Sequence, residues 1–207
     1  VPTRSCPARS VLFRGGGYET VSDFDPVVLS PVSDYFTQTA EATFDEPGWY
    51  PPVPVGLQNQ GGRSKLVAQM GQYDPAVQQA RLYGAMDLDL YYSLSTDQTP
   101  PQIIGVGGLY NPVIGRVDVK VGATDPAGTL RALVTYTQGD GRWDSVGLSF
   151  DADLQKWMGS FPGDTSSRYF VQVVDGVGNV AQATNKGQYY APAIATTLTA
   201  SVYLPLV

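Results

Sequence analysis

The residues able to do chemistry in this 207-residue chain are carboxylates, tryptophans and one cysteine, because the chain holds no histidine. Without histidine it can build no Ser-His-Asp triad, no Cys-His dyad and no imidazole-ligated zinc or iron. Cys6 alone cannot form a thiolate metal site. Carboxylate-pair hydrolysis and oxygen-ligated calcium are the main chemistries left. Asp87 and Asp89 stand two apart in an alternating segment, which puts their side chains on one strand face about 7 Å apart. A glycosidase can use such a pair, but the same spacing describes the solvent face of a half-buried strand, and we read it so. Asp23 with Asp25, and Asp151 with Asp153, are similar pairs in loops, a spacing that calcium sites use. Neither shows an EF-hand pattern, and an Asp that caps a turn is the commoner case. No cofactor is expected beyond calcium at these pairs. Asp125 and Asp175 fall in turns expected at opposite edges of a sandwich, where their work is local hydrogen bonding.

Trp49, Tyr50, Trp143 and Trp157 are the residues from which an aromatic platform for a glycan would be built. Trp157 lies in a strand and is assigned to the core. Trp49, among prolines, is the aromatic expected to be exposed. Cys6, in a proline-flanked arm, could pair between chains, tether the arm or be a buried free thiol.

Composition indicates what must position these groups. The chain is 43% hydrophobic and only 15% charged, with 23 Gly, 16 Pro and 13 Tyr. That is enough apolar material for a core, and the turn and strand formers suit short β-strands. A net charge of −6 with scattered Lys and Arg excludes nucleic acid as a partner. No stretch reaches the roughly 18 apolar residues of a membrane-spanning helix. Low charge, few Lys and abundant Ser, Thr, Tyr and Gly favour an exported protein, and a start at Val1 suggests a processed one.

Along the chain, residues 1–9 read as an arm and 10–98 as a β-rich domain. A strand opens at Ser10–Phe13 before a break at Gly15-Gly16-Gly17. Thr37–Phe44 reads as extended, and Gly48–Pro54 must be extended because its three prolines remove three backbone donors. Lys65–Tyr73 and Arg81–Ser93 alternate as two long strands around Asp74-Pro75-Ala76, with a short helix over Ala76–Ala80 as the competing reading. Ser95–Pro101 is polar, ends in Pro-Pro and marks a domain boundary. Seven short strands follow at even spacing: Gln102–Val106, Arg116–Ala123, Leu130–Thr137, Val146–Phe150, Lys156–Phe161, Arg168–Asp175 and Val180–Thr184. The expected fold is therefore all-β: two β-sandwich modules, the second (99–192) immunoglobulin-like, plus a C-terminal extra strand over 193–207.

Ala123-Thr124-Asp125-Pro126-Ala127-Gly128 resembles the B–C connection of bacterial immunoglobulin-like and fibronectin-III-like modules. Tyr169-Phe170-Val171-Gln172-Val173-Val174-Asp175-Gly176-Val177-Gly178-Asn179-Val180 is similar to their F–G hairpin. The resemblance covers about residues 100–191 and implies a spacer, an adhesin or an appendage of a secreted enzyme. Gly71-Gln72-Tyr73-Asp74-Pro75 with Ala80-Arg81-Leu82-Tyr83 is similar to a non-catalytic segment of secreted gingipain-like cysteine peptidases.

The tail is surplus to a complete sandwich. Leu198, Ala200, Val202, Leu204 and Leu206 alternate against Thr197, Thr199, Ser201 and Tyr203, as in an edge strand. It either folds back on its own chain or inserts into a neighbour's sheet edge, as in donor-strand assembly. The sequence thus reads as a non-catalytic extracellular structural or interaction protein. Self-association into a surface assembly or filament, through the tail or the amino-terminal arm, is the leading reading. The alternatives are the non-catalytic portion of a larger secreted cysteine peptidase and a carbohydrate-binding module.

Overall fold

The computed structural model describes residues 6–24, 26, 48–60 and 63–194. Among them there are fourteen strands and no helix. The expectation of an all-β protein holds.

Seven strands of the second half form a sandwich: β7 (Gln102–Asn111), β8 (Arg116–Thr124), β9 (Thr129–Thr137), β10 (Arg142–Asp151), β11 (Lys156–Pro162), β12 (Arg168–Asp175) and β13 (Val180–Ala183). Their hydrogen-bonded order is β13-β12-β9-β10-β11-β8-β7, antiparallel throughout. Strand β10 folds this ribbon into two layers by changing partners. Asp144–Leu148 pairs with β9, and Ser149–Asp151 pairs with β11. Between the layers, Val117, Val119, Val121, Trp157 and Phe161 meet Ala132, Val134, Tyr169, Val171 and Val173. The period-2 pattern places them there: Asp118 and Lys120, between those valines, are exposed.

The outer face of β9 and β12 is buried as well, because a further layer covers it. That layer contains β1 (Ala8–Val21), which pairs with β6 (Asp87–Tyr92) and then with β5 (Gln79–Tyr83), and β4 (Gly71–Asp74), which pairs with β5. Strands β2 (Val55–Gln60) and β3 (Arg63–Ala68) form a separate two-stranded sheet. Phe13, fully buried, lies 6.4 Å from the Phe170 ring and 6.1 Å from that of Tyr83. Its backbone is held by a side chain: Gln172 accepts from the Phe13 N–H at 3.0 Å and donates to the Phe13 carbonyl at 2.6 Å. Thr135 also donates to that carbonyl, at 3.2 Å.

Several local expectations are corrected. Strand β1 begins at Ala8, inside the expected arm, and runs through Gly15-Gly16-Gly17 rather than stopping there. These glycines let β1 pass between elements: a Cβ on Gly15 would overlap the Trp143 carbonyl oxygen, and one on Gly16 the Ala85 carbonyl oxygen. At that crossing Gly16 and Gly17 pair with Trp143 and Arg142 of β10. Each expected long strand of the first half is two strands, interrupted at Gln69–Met70 and at Gly84–Met86. The second interruption resets the alternation, so Arg81 and Tyr83 are buried while Leu82 is exposed. Residues 75–78 are a turn rather than a helix, anchored by the Ala76 N–H on Asp74. Thr37–Phe44 lies outside the described residues.

The Gln172 clamp yields a prediction. In Gln172→Leu the buried Phe13 N–H loses its partner and the carbonyl loses one of two, at about 1–3 kcal/mol per unsatisfied group. Urea denaturation should show a loss of at least about 2 kcal/mol. A midpoint matching that of the parent would contradict the clamp.

Candidate functional site

The sequence-named carboxylates occupy three different environments. Asp89 is structural: it accepts from Arg131 Nη1 at 2.8 Å and lies 3.8 Å from Arg14 Nη1, tying β6 to β9 and β1. Asp87, two residues before it, is exposed. One of the two is thus committed to an ion pair, where a solvent-facing strand face was expected for both. Asp151 Oδ1 accepts from the N–H groups of Asp153 and Leu154, capping the β10–β11 turn. Asp23 is exposed at φ 55°, and Asp25 lies outside the described residues. Neither pair gathers further carboxylates among the described residues.

Asp125 and Asp175 are brought together instead of standing at opposite edges. With Asp97 they form a group in which one carboxylate oxygen from each lies within 4.8 Å of the others. Asp175 is fully buried: Oδ1 accepts from the N–H groups of Val177 at 2.9 Å and Asn179 at 2.8 Å, and Oδ2 from Asn179 Nδ2 at 2.7 Å. Asp125 and Asp97 each use Oδ1 on a backbone N–H two residues on, at 2.7 and 2.9 Å. Asn179 Nδ2 also donates to the Thr99 carbonyl at 3.1 Å, fastening the segment before β7 to the β12–β13 turn. Oxygen-rich clusters of this kind are the chemistry of hard cations. Both oxygens of Asp175 also accept hydrogen bonds, which hold the β12–β13 turn. Strand counting would have found the juxtaposition. In seven alternating antiparallel strands, the start of the first, the second connection and the sixth all fall at one end.

Trp49 is buried rather than exposed, at 9% of its surface. The Arg81 guanidinium lies over its ring at 3.7 Å and over that of Tyr18 at 4.8 Å. This cation–π stack offsets part of the cost of burying a cation that has no ion pair among the described residues. Trp143 and Trp157 are also buried. Of the four aromatics named for a glycan platform, only Tyr50 is exposed, so the platform is not formed. Burial pushes the Tyr189 phenol up to about 12, opposed by the Arg81 charge and the Gln72 hydrogen bond. Burial raises Tyr83 further in the same direction.

The remaining site is an edge. Strand β7 pairs with β8 on one side; on the other, its hydrogen-bonded partner among the described residues is β14 (Ala193–Ile194), parallel to Leu109–Tyr110, and β13 packs near it without pairing. The ten residues of β7 include no charge and no proline, and three glycines stand at 105, 107 and 108. Ile104, Leu109 and Ile194 are exposed. Beside the strand, Ile104, Gly105, Val106, Gly107, Lys120, Gly122 and Lys156 line a shallow recess of about 410 Å³. Natural edges are ordinarily blunted by Lys, Pro or bulges. Here only a register shift at Ile103/Gly105 does so. Cys6 is exposed just ahead of β1, which excludes a buried thiol. Leu198, Ala200, Val202, Leu204 and Leu206 lie outside the described residues.

Compared with family models, with curated proteins and with solved structures, the chain matches none of them.

Two outcomes are expected. Asp175→Ala should destabilise the protein by about 2–3 kcal/mol in denaturant, because two buried N–H groups and the Asn179 amide lose their acceptor. A smaller change than about 0.5 kcal/mol would contradict this role. The raised phenols of Tyr83 and Tyr189 bind a proton in the folded state that the unfolded state releases near pH 10. Their contribution is therefore complete below about pH 10 and is lost as pH rises. Absorbance at 295 nm should show these tyrosines ionising together with alkaline unfolding. Full ionisation of all tyrosines in a folded chain would contradict it.

Proposed function

We propose that this chain is a non-catalytic extracellular structural protein, a self-associating surface or filament subunit that works by terminal-strand pairing. The observation that carries this reading is the position of Ala193–Ile194. The chain reaches residue 194 already hydrogen-bonded to the outer edge of the sandwich. The uncharged, alternating segment Thr196–Leu206 follows two residues later in the sequence, and sheet edges are where pairing between chains is easiest.

Other features support the same reading. The strand order β13-β12-β9-β10-β11-β8-β7 suits an immunoglobulin-like or fibronectin-III-like module, a scaffold used in exported modular proteins. The carboxylates with the spacing of a catalytic pair are engaged in structure or stand apart, and the chain holds no histidine to serve as a base. Low charge and few lysines favour the exterior of a cell.

Size-exclusion chromatography with light scattering tests the proposal. The full chain should elute as a concentration-dependent multiple of 22.2 kDa. Deleting residues 196–207 should leave a folded monomer with unchanged circular dichroism. A full chain monomeric at every concentration, or oligomers that survive the deletion, would overturn it.

A further inference from the structure

We infer that the cleft between β1, β6 and β10 is a binding site for a neutral mono- or disaccharide, held by Arg14, Asp87, Arg142, Asp144 and Ser145. The inference goes beyond the self-association reading and does not depend on it.

The cleft follows from the path of β1. Gly15 pairs with Asp87 at the start of β6, and Gly16 and Gly17 pair with Trp143 and Arg142 of β10. Strands β6 and β10 do not pair with each other. Where β1 passes from one to the other, a cleft of about 350 Å³ lies between them. That volume falls in the lower part of the range for small-ligand sites, roughly 300–1,000 Å³. Most such sites are walled by apolar side chains; this one is walled by charge. Leu88 and Trp143 are its apolar residues, and Trp143 is buried.

The charges select the ligand. Arg142 Nε donates to Asp144 Oδ1 at 2.7 Å, while Asp89 accepts from Arg131 at 2.8 Å and has Arg14 at 3.8 Å. The guanidinium groups of Arg14, Arg131 and Arg142 thus stand against the carboxylates of Asp87, Asp89 and Asp144, and the site is neutral as a whole. A bound anion would face the carboxylates, and a bound cation the guanidinium groups. A neutral ligand meets neither cost.

The walls also dictate what that ligand must offer. Carboxylates only accept hydrogen bonds, and guanidinium groups only donate them. Adjacent sugar hydroxyls do both, and hydrogen bonds to ionised groups are about twice as strong as neutral ones. Capacity is left for them: among the described residues, neither the Asp87 carboxylate nor the Ser145 hydroxyl has a hydrogen-bond partner. The Asp87 and Asp89 pair singled out in the sequence therefore lines one cleft, with Asp89 fixing the wall and Asp87 free to bind.

Saturation-transfer difference NMR tests this on the full-length chain, because it reads monomer and assembly alike. The probes are glucose, galactose, mannose, N-acetylglucosamine, lactose and maltose, with acetate and methylammonium as charged comparisons. At least one sugar should show saturable transfer, with a dissociation constant of the order of 1 mM, and neither ion should bind as tightly. Asp87→Ala with Ser145→Ala removes polar atoms that have no partner in the fold. Thermal unfolding should therefore be unchanged in this double variant, while affinity falls at least tenfold. Asp118→Ala removes a carboxylate from the exposed face of β8 and should leave affinity as it is. The inference is overturned by an absence of saturable transfer from all of these sugars, or by tighter binding of either ion. Sugar binding that survives the double variant, or falls equally in Asp118→Ala, overturns it as well.

Discussion

The architecture depends on one side chain acting as a strand. Gln172, on the outer face of β12, presents its carboxamide oxygen to the Phe13 N–H and its amide to the Phe13 carbonyl. That replaces, inside the protein, the two hydrogen bonds that a neighbouring strand would have given. A backbone crossing a sheet face ordinarily leaves such groups unpaired, at a cost of about 1–3 kcal/mol each. With that cost removed, β1 can lie across β9 and β12 and carry Phe13 into an aromatic cluster with Phe170, Tyr83 and Trp143. A sandwich that would have exposed a face gains a third layer, and the hydrophobic clusters draw on residues from both sides of the Ser95–Pro101 segment.

The crossing in turn requires the glycines. Trp143 and Ala85 carbonyls occupy the space that side chains at positions 15 and 16 would need. Just beyond, Tyr18 closes over Arg81, whose guanidinium stacks on Trp49 and lies 5.4 Å from the Trp143 ring. Hydrogen bonding, close approach and cation–π stacking thus act in sequence along β1 to seat the first half of the chain on the second.

Much of the second half was legible because strands such as β8 keep a clear period-2 alternation. Val117, Val119 and Val121 point inward as written, and each of the seven expected strands overlaps an observed one, with β7 running five residues longer and β10 starting four residues earlier. The first half was less legible, for physical reasons. Its strands break at Gln69–Met70 and Gly84–Met86, which inverts the faces and buries a charged residue, Arg81, where Leu82 would be expected. The glycine triplet read as a break because its purpose, close approach to distant carbonyls, leaves no local mark. Trp49 read as exposed because its cover, Arg81, lies 32 residues away. The Asp97, Asp125 and Asp175 cluster was recoverable from strand parity alone, and the expectation of opposite edges was an error of counting, not of missing information.

Whether the Gln172 side-chain clamp holds the first half of the chain on the second is tested most directly by amide hydrogen exchange, read residue by residue in the full-length chain and in Gln172→Leu. The Phe13 N–H should be strongly protected in the parent chain and exchange markedly faster in the variant, while the amides of β8, in the far layer, do not change. A Phe13 amide equally protected in both chains would contradict it.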